Sequence, residues 1–320
     1  MRMSKLMVGG QAVIEGVMMR GPKKVATAVR DPNGKIAIEV KPVHSITERF
    51  PLLKKPLLRG TVALIESLVL GIRSLSYSAK MAGEEDEQLT DREMAGTIVF
   101  ALVLASILFI AIPTGAAKLF HTITEDPVFL NLMEGVLRLI IFLLYIWGIS
   151  RMKDIRRVFQ YHGAEHKTIF CYEAGQPLTV ENVQQFSRFH PRCGTAFLLI
   201  VMLVSIFVFA FLGWPDLWLR ITSRILLLPV VAGISYEIIR LAGRSEHPVV
   251  RLAILPGLWL QYLTTRPPED DMVEVAIESL KAVLPEEEIL AGSGSYLPTD
   301  AETAETAEMA DGHTAAIAVN

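Results

Sequence analysis

The stretch YHGAEHKT, residues 161–168, sets two histidines four positions apart with a glutamate between them. Four positions is one helical turn, so a helix here would bring His162 and His166 to one ion with Glu165 beside them. Read as H-x-x-E-H, the run is the reverse of a zinc-peptidase signature in which the glutamate activates water at the metal. A second pair follows at HPRC, residues 190–193, which supplies His190 and Cys193. Zinc takes imidazole and thiolate ligands in tetrahedral geometry, and paired ligands at short spacing are a common way to build such a site.

Three readings of these residues stand side by side. If His162, His166, His190 and Cys193 all ligate, the shell is closed and the ion is structural. If only three ligate, the fourth position is open and Glu165 is placed to act as catalytic general base. If there is no metal, the histidines hydrogen-bond or contact lipid phosphate. Cys171, the other of the two cysteines, reads as a packed residue.

The elements that must position these residues are apolar. Hydrophobic residues make up 51% of the 320, and mean hydropathy is +0.39. The excess is local: residues 94–117 and 193–215 carry no charge, and each exceeds the roughly 20 residues that cross a bilayer. Two more runs are interrupted, 127–150 by Glu134 and Arg138, and 220–243 by Arg220, Arg224, Glu237 and Arg240. Four spans are expected. No signal-peptide pattern opens the chain.

Lysine and arginine set the orientation. Residues 1–93 carry 15 of them and 151–194 carry 7, whereas 118–129 has one. Both termini and the 151–194 segment are therefore expected in the cytoplasm, where Cys193 stays reduced. The basic residues are dispersed rather than gathered with aromatics into a stripe, which argues against nucleic acid as a partner. They suit anionic headgroups of the lipid bilayer instead.

Around this core the chain divides into four regions. Residues 1–55 form a cytoplasmic segment in which DPNG, between the runs of 25–43, signals a β-hairpin. Residues 56–93 read as an interfacial helix over 57–81, too charged to be taken as a span, and an acidic connector. Residues 94–291 form the membrane domain with its His/Cys loop at 151–194, closed by an amphipathic helix within 269–290 that buries Val273, Ala276, Ile277 and Leu280 on one face. The Ala/Glu/Thr repeats of 292–320 read as a disordered tail.

Further polar groups stand outside this cluster. Glu134 and Arg138 can pair at i,i+4 within one helix. Glu237 either pairs locally with Arg240 or stands in the second shell of the metal, with Glu246 and His247 as a fallback pair. Gln11, Glu15 and Arg20, set among glycines in GGQAVIEGVMMRGP, read either as contacts to a substrate or partner or as solvated side chains of a connector. No phosphate-loop spacing occurs among those glycines, and no internal repeat supports a transporter.

At GGQAVIEGVMMRGP, YHGAEHK, HPRCGT, GISYEIIRLAGR and PGLWLQYLTTRPPEDD, the chain resembles the YqhQ-like family of bacterial membrane proteins. That family is of unknown function and described as metal-dependent enzymes. The resemblance covers most of residues 8–283 and implies His162, Glu165, His166, His190 and Cys193 as metal-site residues. It implies no substrate.

The expectation is thus an all-α polytopic protein of the cell membrane with about four transmembrane helices, a small N-terminal β-hairpin and a cytoplasmic His/Cys loop. Its expected function is a zinc- or other divalent-metal-dependent hydrolase acting on a lipid-linked or juxtamembrane peptide substrate. The alternative is a non-enzymatic protein in which structural zinc braces a docking site for a cytoplasmic partner.

Overall fold

The computed structural model describes residues 6–43, 45–83, 90–120, 122–242 and 247–285. The tail 292–320, connector residues 84–89 and Glu246 lie outside the described residues. Four strands come first: β1 (Gly9–Val13), β2 (Gly16–Arg20), β3 (Lys24–Arg30) and β4 (Ile36–Pro42). Helices follow: α1 (Ile46–Arg49), a 3-10 turn (Pro51–Lys54), α2 (Leu58–Ala82), α3 (Asp91–Ser106), a π-helical turn (Ile107–Ala111), α4 (Ile112–Phe120), α5 (Pro127–Ile149) and α6 (Lys153–Ala174). The series ends with α7 (Val180–Gln184), α8 (Gly194–Ala210), α9 (Leu217–Ala242), α10 (Pro248–Thr264) and α11 (Asp270–Val283).

The strands form one antiparallel sheet in the order β1-β2-β3-β4. Its β3–β4 hairpin turns at Asp31–Gly34, with Gly34 at φ 80°, as DPNG predicts. The first hairpin corrects the expectation of a single one. Its two-residue turn, Ile14-Glu15, lacks an Asn-Gly signal, and Glu15 itself takes φ 49°. The sheet's central strands β2 and β3 are also buried on both faces, which erases the polar/apolar alternation of a half-solvated sheet. Val17, Met19, Ala26 and Ala28 share one core with α6 and α11. Val13, Met18, Val25 and Val29 pack instead against Leu70, Tyr77 and Met81 of α2.

Among the described residues, three helices are long and apolar enough to cross a membrane: Leu58–Ala82, Arg92–Ala117 and Pro127–Ile149. The last two are the expected spans at 94–117 and 127–150. The first is the stretch expected at the interface. The other two expected spans become α8, apolar but only 17 residues long, and α9, which keeps its four charged residues.

Polar ties bind α2 to the sheet. Arg20 pairs with Glu66 at 3.0 Å, Thr27 donates to Ser74 at 3.0 Å, and the Ile14 amide donates to Ser78 at 3.2 Å. Its other flank leaves Ile65, Leu68, Val69, Ile72 and Leu75 exposed. At its start, Gly60 meets α9 so closely that a Cβ there would lie 2.7 Å from Tyr236 Cβ.

Residues 151–194 are not a loop. Half of the segment is α6, which ends at Gly175 in the left-handed conformation (φ 78°). The rest folds back along that helix through α7, tied by Lys167 Nζ donating to the carbonyls of Gln184 and Phe186 at 2.6 and 2.7 Å. Ten residues of α6 are buried, among them His162, Glu165, His166 and Thr168. A helix hidden on nearly every side would ordinarily be apolar throughout. The polar residues inside this one therefore need partners, and those partners define the site.

Candidate metal centre

His162 and His166 sit one turn apart on α6, and their rings meet edge to face at 4.4 Å between centroids. Cys193 is the N-cap of α8, its sulfur accepting from the Thr195 amide at 3.4 Å. One ligand atom from each of the three residues lies within 4.8 Å of the others, and all three residues are buried. His162, His166 and Cys193 thus form a cluster that could hold a metal ion.

Backbone carbonyls orient both imidazoles. His162 Nδ1 donates to the Thr264 carbonyl at 2.8 Å, where α10 ends, and His166 Nδ1 donates to the Arg188 carbonyl at 2.5 Å. With each Nδ1 carrying the proton, each Nε2 is left as the coordinating atom, the arrangement that fixes the tautomer of metal-ligating histidines. His162 Nε2 lies 3.2 Å from Cys193 Sγ. His166 Nε2 is buried with no partner. A buried imidazole nitrogen without a partner is costly, and a metal would satisfy it.

The electrostatics prepare the sulfur. Burial opposes a thiolate, but His162 and His166 outweigh it and hold the Cys193 thiol well below its usual range. Burial likewise opposes a charged His162, yet the contact with Cys193 pushes it up to about 9. Without an ion the pair favours imidazolium and thiolate, and a bound metal would replace the proton on His162 Nε2, leaving that nitrogen and the sulfur as ligands.

Glu165 lies against the same cluster. Burial raises its carboxyl above the ordinary range despite the attraction of His162 and His166, and the Ala12 amide donates to it. Its Oε2 is buried without a partner. Strand β1 closes over this side chain: a Cβ on Gly10 would lie 2.8 Å from Glu165 Cγ and 2.9 Å from Oε1. Here a side chain of any size is excluded, which accounts for the second glycine of GGQAVIEG. Gly10→Ala is expected to push the Glu165 carboxylate off the Ala12 amide while leaving the metal stoichiometry unchanged. Elemental analysis, with structure determination of the variant at Glu165, checks this.

His190 stands beside the cluster and does not join it. Its ring is 5.5 Å from that of His166, and its Nε2 lies 3.7 Å from Glu173 Oε2, beyond hydrogen-bond length. Its backbone is clamped by Gln261, which accepts from the His190 amide and donates to its carbonyl, both at 2.8 Å. Burial alone would raise the Glu173 carboxyl, but His190 and Arg192 hold it below the usual range.

The remaining expected site residues are spread through the molecule. Glu237 is bound by Arg59 at 2.6 and 2.5 Å with Arg240 at 3.8 Å, so its carboxylate meets guanidinium groups and no imidazole. Glu15 pairs with Arg157 through two bonds of 2.6 Å, and Arg20 with Glu66. Gln11 reaches Gly71 of α2. Together with Arg20, it lines a cavity of about 140 Å³ between β1 and α2. All three thus hold the sheet to neighbouring helices.

The sequence reading missed Thr264, Arg188, Gln261 and Glu173. The first two act through backbone carbonyls, which carry no side-chain signature. Glu173 had a signal: it lies seven residues beyond His166 on the same helix, and so on the same face.

The profile of the family described as "Protein of unknown function (DUF1385)" matches residues 55–286. The chain is 40% identical over 292 residues to "Uncharacterized protein YqhQ" of Bacillus subtilis (strain 168), covering 86% of this chain and 92% of that one. No solved structure matches. With the family profile spanning well over half of its length and a relative this similar along nearly all of both chains, the protein belongs to the DUF1385 family, the YqhQ-like proteins.

Proposed function

We propose that this protein is a metal-dependent hydrolase of the cell membrane, with His162, His166 and Cys193 holding a divalent ion and Glu165 as general base. One observation carries the reading: ligand atoms of three buried residues converge, and His166 Nε2 and Glu165 Oε2 are both buried there without a hydrogen-bond partner. The imidazole–thiolate set favours zinc over the oxygen-preferring cations. Three protein ligands with one position left over is the pattern of catalytic rather than structural zinc.

The ion, when bound, supplies Lewis acidity. The chain supplies the rest. Glu165, with its raised proton affinity, takes a proton from the attacking water and returns it to the leaving group. The Thr264 and Arg188 carbonyls hold the imidazoles in register, and β1 excludes bulk water from the Glu165 side.

The substrate class follows from placement. With both termini cytoplasmic, α6, the sheet and α11 form a cytoplasmic unit directly below the spans. The apolar flank of α2 then lies on the lipid while its polar ties face the sheet, as suits an interfacial helix. A site at this boundary reaches a lipid-linked molecule or a juxtamembrane peptide.

A second reading is a structural ion closed by His190 and bracing a docking site for a cytoplasmic partner. It is favoured by the buried, unbonded Nε2 of His190 next to His166. Elemental analysis of the purified protein decides between them, with complementation of a deletion strain as the functional readout. Wild type is expected to carry one equivalent of zinc and His162→Ala none. Glu165→Gln and His190→Ala are expected to keep the metal, with function lost in the former. Loss of metal in His190→Ala with normal function in Glu165→Gln would establish the structural reading. A metal-free wild type would remove both.

A further inference from the structure

At the far end of the helices from Cys193, a charged network is buried where α4, α5 and α9 meet. Glu134 of α5 is fully buried. Its Oε1 accepts from Arg138 at 2.7 Å, from Thr114 at 3.0 Å and from Arg224, and its Oε2 accepts from Arg224 at 2.9 Å. Arg138 also donates to the carbonyl of Phe109 at 2.8 Å, within the π-helical turn. Arg224 reaches Asn131 Oδ1 at 3.0 Å.

A third arginine, Arg220, lies one turn before Arg224. It is 5% exposed, its guanidinium covers the ring of Trp214 at 4.2 Å, and its Nε and Nη1 have no hydrogen-bond partner. Asp216, at the same end of α9, accepts from the Leu219 amide. Arg138 and Arg224 thus share the one Glu134 carboxylate, and the buried Arg220 keeps two nitrogens unbonded, an excess of positive charge in an apolar setting where unpaired charge is costly.

An apolar groove of about 610 Å³ meets this network, lined by Val99, Val103, Ile107, Ile110, Thr114 and Ile221 among others. Thr114 belongs to both, facing the groove and donating to Glu134. Ile221 follows Arg220 directly in the chain. A π-helical turn in the wall is of the kind often found at functional sites. The volume is that of a small-molecule site.

We propose that this groove binds an anionic membrane lipid, with an acyl chain in the apolar channel and the anionic headgroup paired to Arg220. The charge excess selects an anion, and the channel beside it selects one that carries a hydrocarbon chain. This site is separate from the metal centre and does not rest on the hydrolase reading.

The test uses the full chain in nanodiscs of zwitterionic lipid doped with phosphatidylglycerol, with bound lipid counted by native mass spectrometry. Wild type is expected to retain phosphatidylglycerol about tenfold over phosphatidylcholine, and Arg220→Gln to lose that preference. Gly115→Phe fills the groove and leaves the charges intact. A Cβ at Gly115 meets nothing within 4 Å, so this variant is expected to fold, as its thermal unfolding checks, and to lose the lipid. Equal retention of both lipids by wild type would overturn the proposal. So would undiminished binding in Gly115→Phe, or displacement of the lipid by inorganic phosphate alone at comparable concentration.

Discussion

Cys193→Ala is expected to reduce zinc affinity by at least about a hundredfold, because loss of a partner behind a ligand already costs about 10–100-fold and this change removes the ligand itself. The substitution acts on two links at once. Cys193 Sγ is one of the three converging ligand atoms, and it also accepts from the Thr195 amide at the start of α8. Removing an N-cap acceptor costs about 1 kcal/mol. Cys193→Ser separates the two effects, because serine is a good N-cap but a poor replacement for a thiolate whose proton is already lost. Serine is therefore expected to restore the cap contribution without restoring the metal. Elemental analysis reads the first effect, and thermal unfolding with excess chelator reads the second. Wild type loses stability to the chelator by mass action, whereas neither variant responds to it. Stoichiometric zinc in both variants would remove Cys193 from the ligand set.

The parts of this site legible in the sequence are those built on short fixed spacings. His162, Glu165 and His166 occupy i, i+3 and i+4 of α6, and local helix geometry alone brings them together. Cys193 is less secure from spacing, because HPRC comes to the cluster only after the chain has folded back along α6. That fold-back rests on Lys167, on Gln261 and on the Arg188 carbonyl, and none of these carries a motif. It is also why His190 and Cys193, three residues apart, part company: Gln261 clamps the His190 backbone from both sides, and the ring falls beside Glu173.

The membrane elements show the same division. Apolar length marks the run from α3 through α4, and α5 despite Glu134 and Arg138, because length and composition are one-dimensional properties. The charges in α9 interrupt its pattern because they pair across helices, Arg224 with Glu134 of α5 and Glu237 with Arg59 of α2. No window on one segment reports such a partner. The first hairpin was hidden for a related reason. Its turn places Glu15 at φ 49°, and Arg157, 142 residues away, holds that side chain.

Gly163→Ala is expected to be the most disruptive single-methyl change at the site, destabilising the protein by about 3 kcal/mol. Gly163 lies on α6 between His162 and Ala164, where the segment after α10 crosses the helix. The Arg266 amide donates to the Phe159 carbonyl at 2.8 Å there, and a Cβ on Gly163 would run into the Arg266 carbonyl oxygen. Backbone on both sides leaves no rotamer to relieve the overlap, so the crossing strand must move. Two residues before Arg266 is Thr264, whose carbonyl fixes His162 Nδ1. Displacing it frees the imidazole to rotate or change tautomer, and zinc affinity is expected to fall about 10–100-fold. The control is Gly148→Ala near the end of α5, where a Cβ meets nothing within 4 Å and alanine adds up to about 1 kcal/mol of helix propensity. Unfolding measurements on the two variants should therefore move in opposite directions, and zinc competition titrations should show weakened binding in Gly163→Ala alone. If Gly163→Ala loses stability but binds zinc as wild type does, the Thr264 carbonyl is not what holds His162 for the metal.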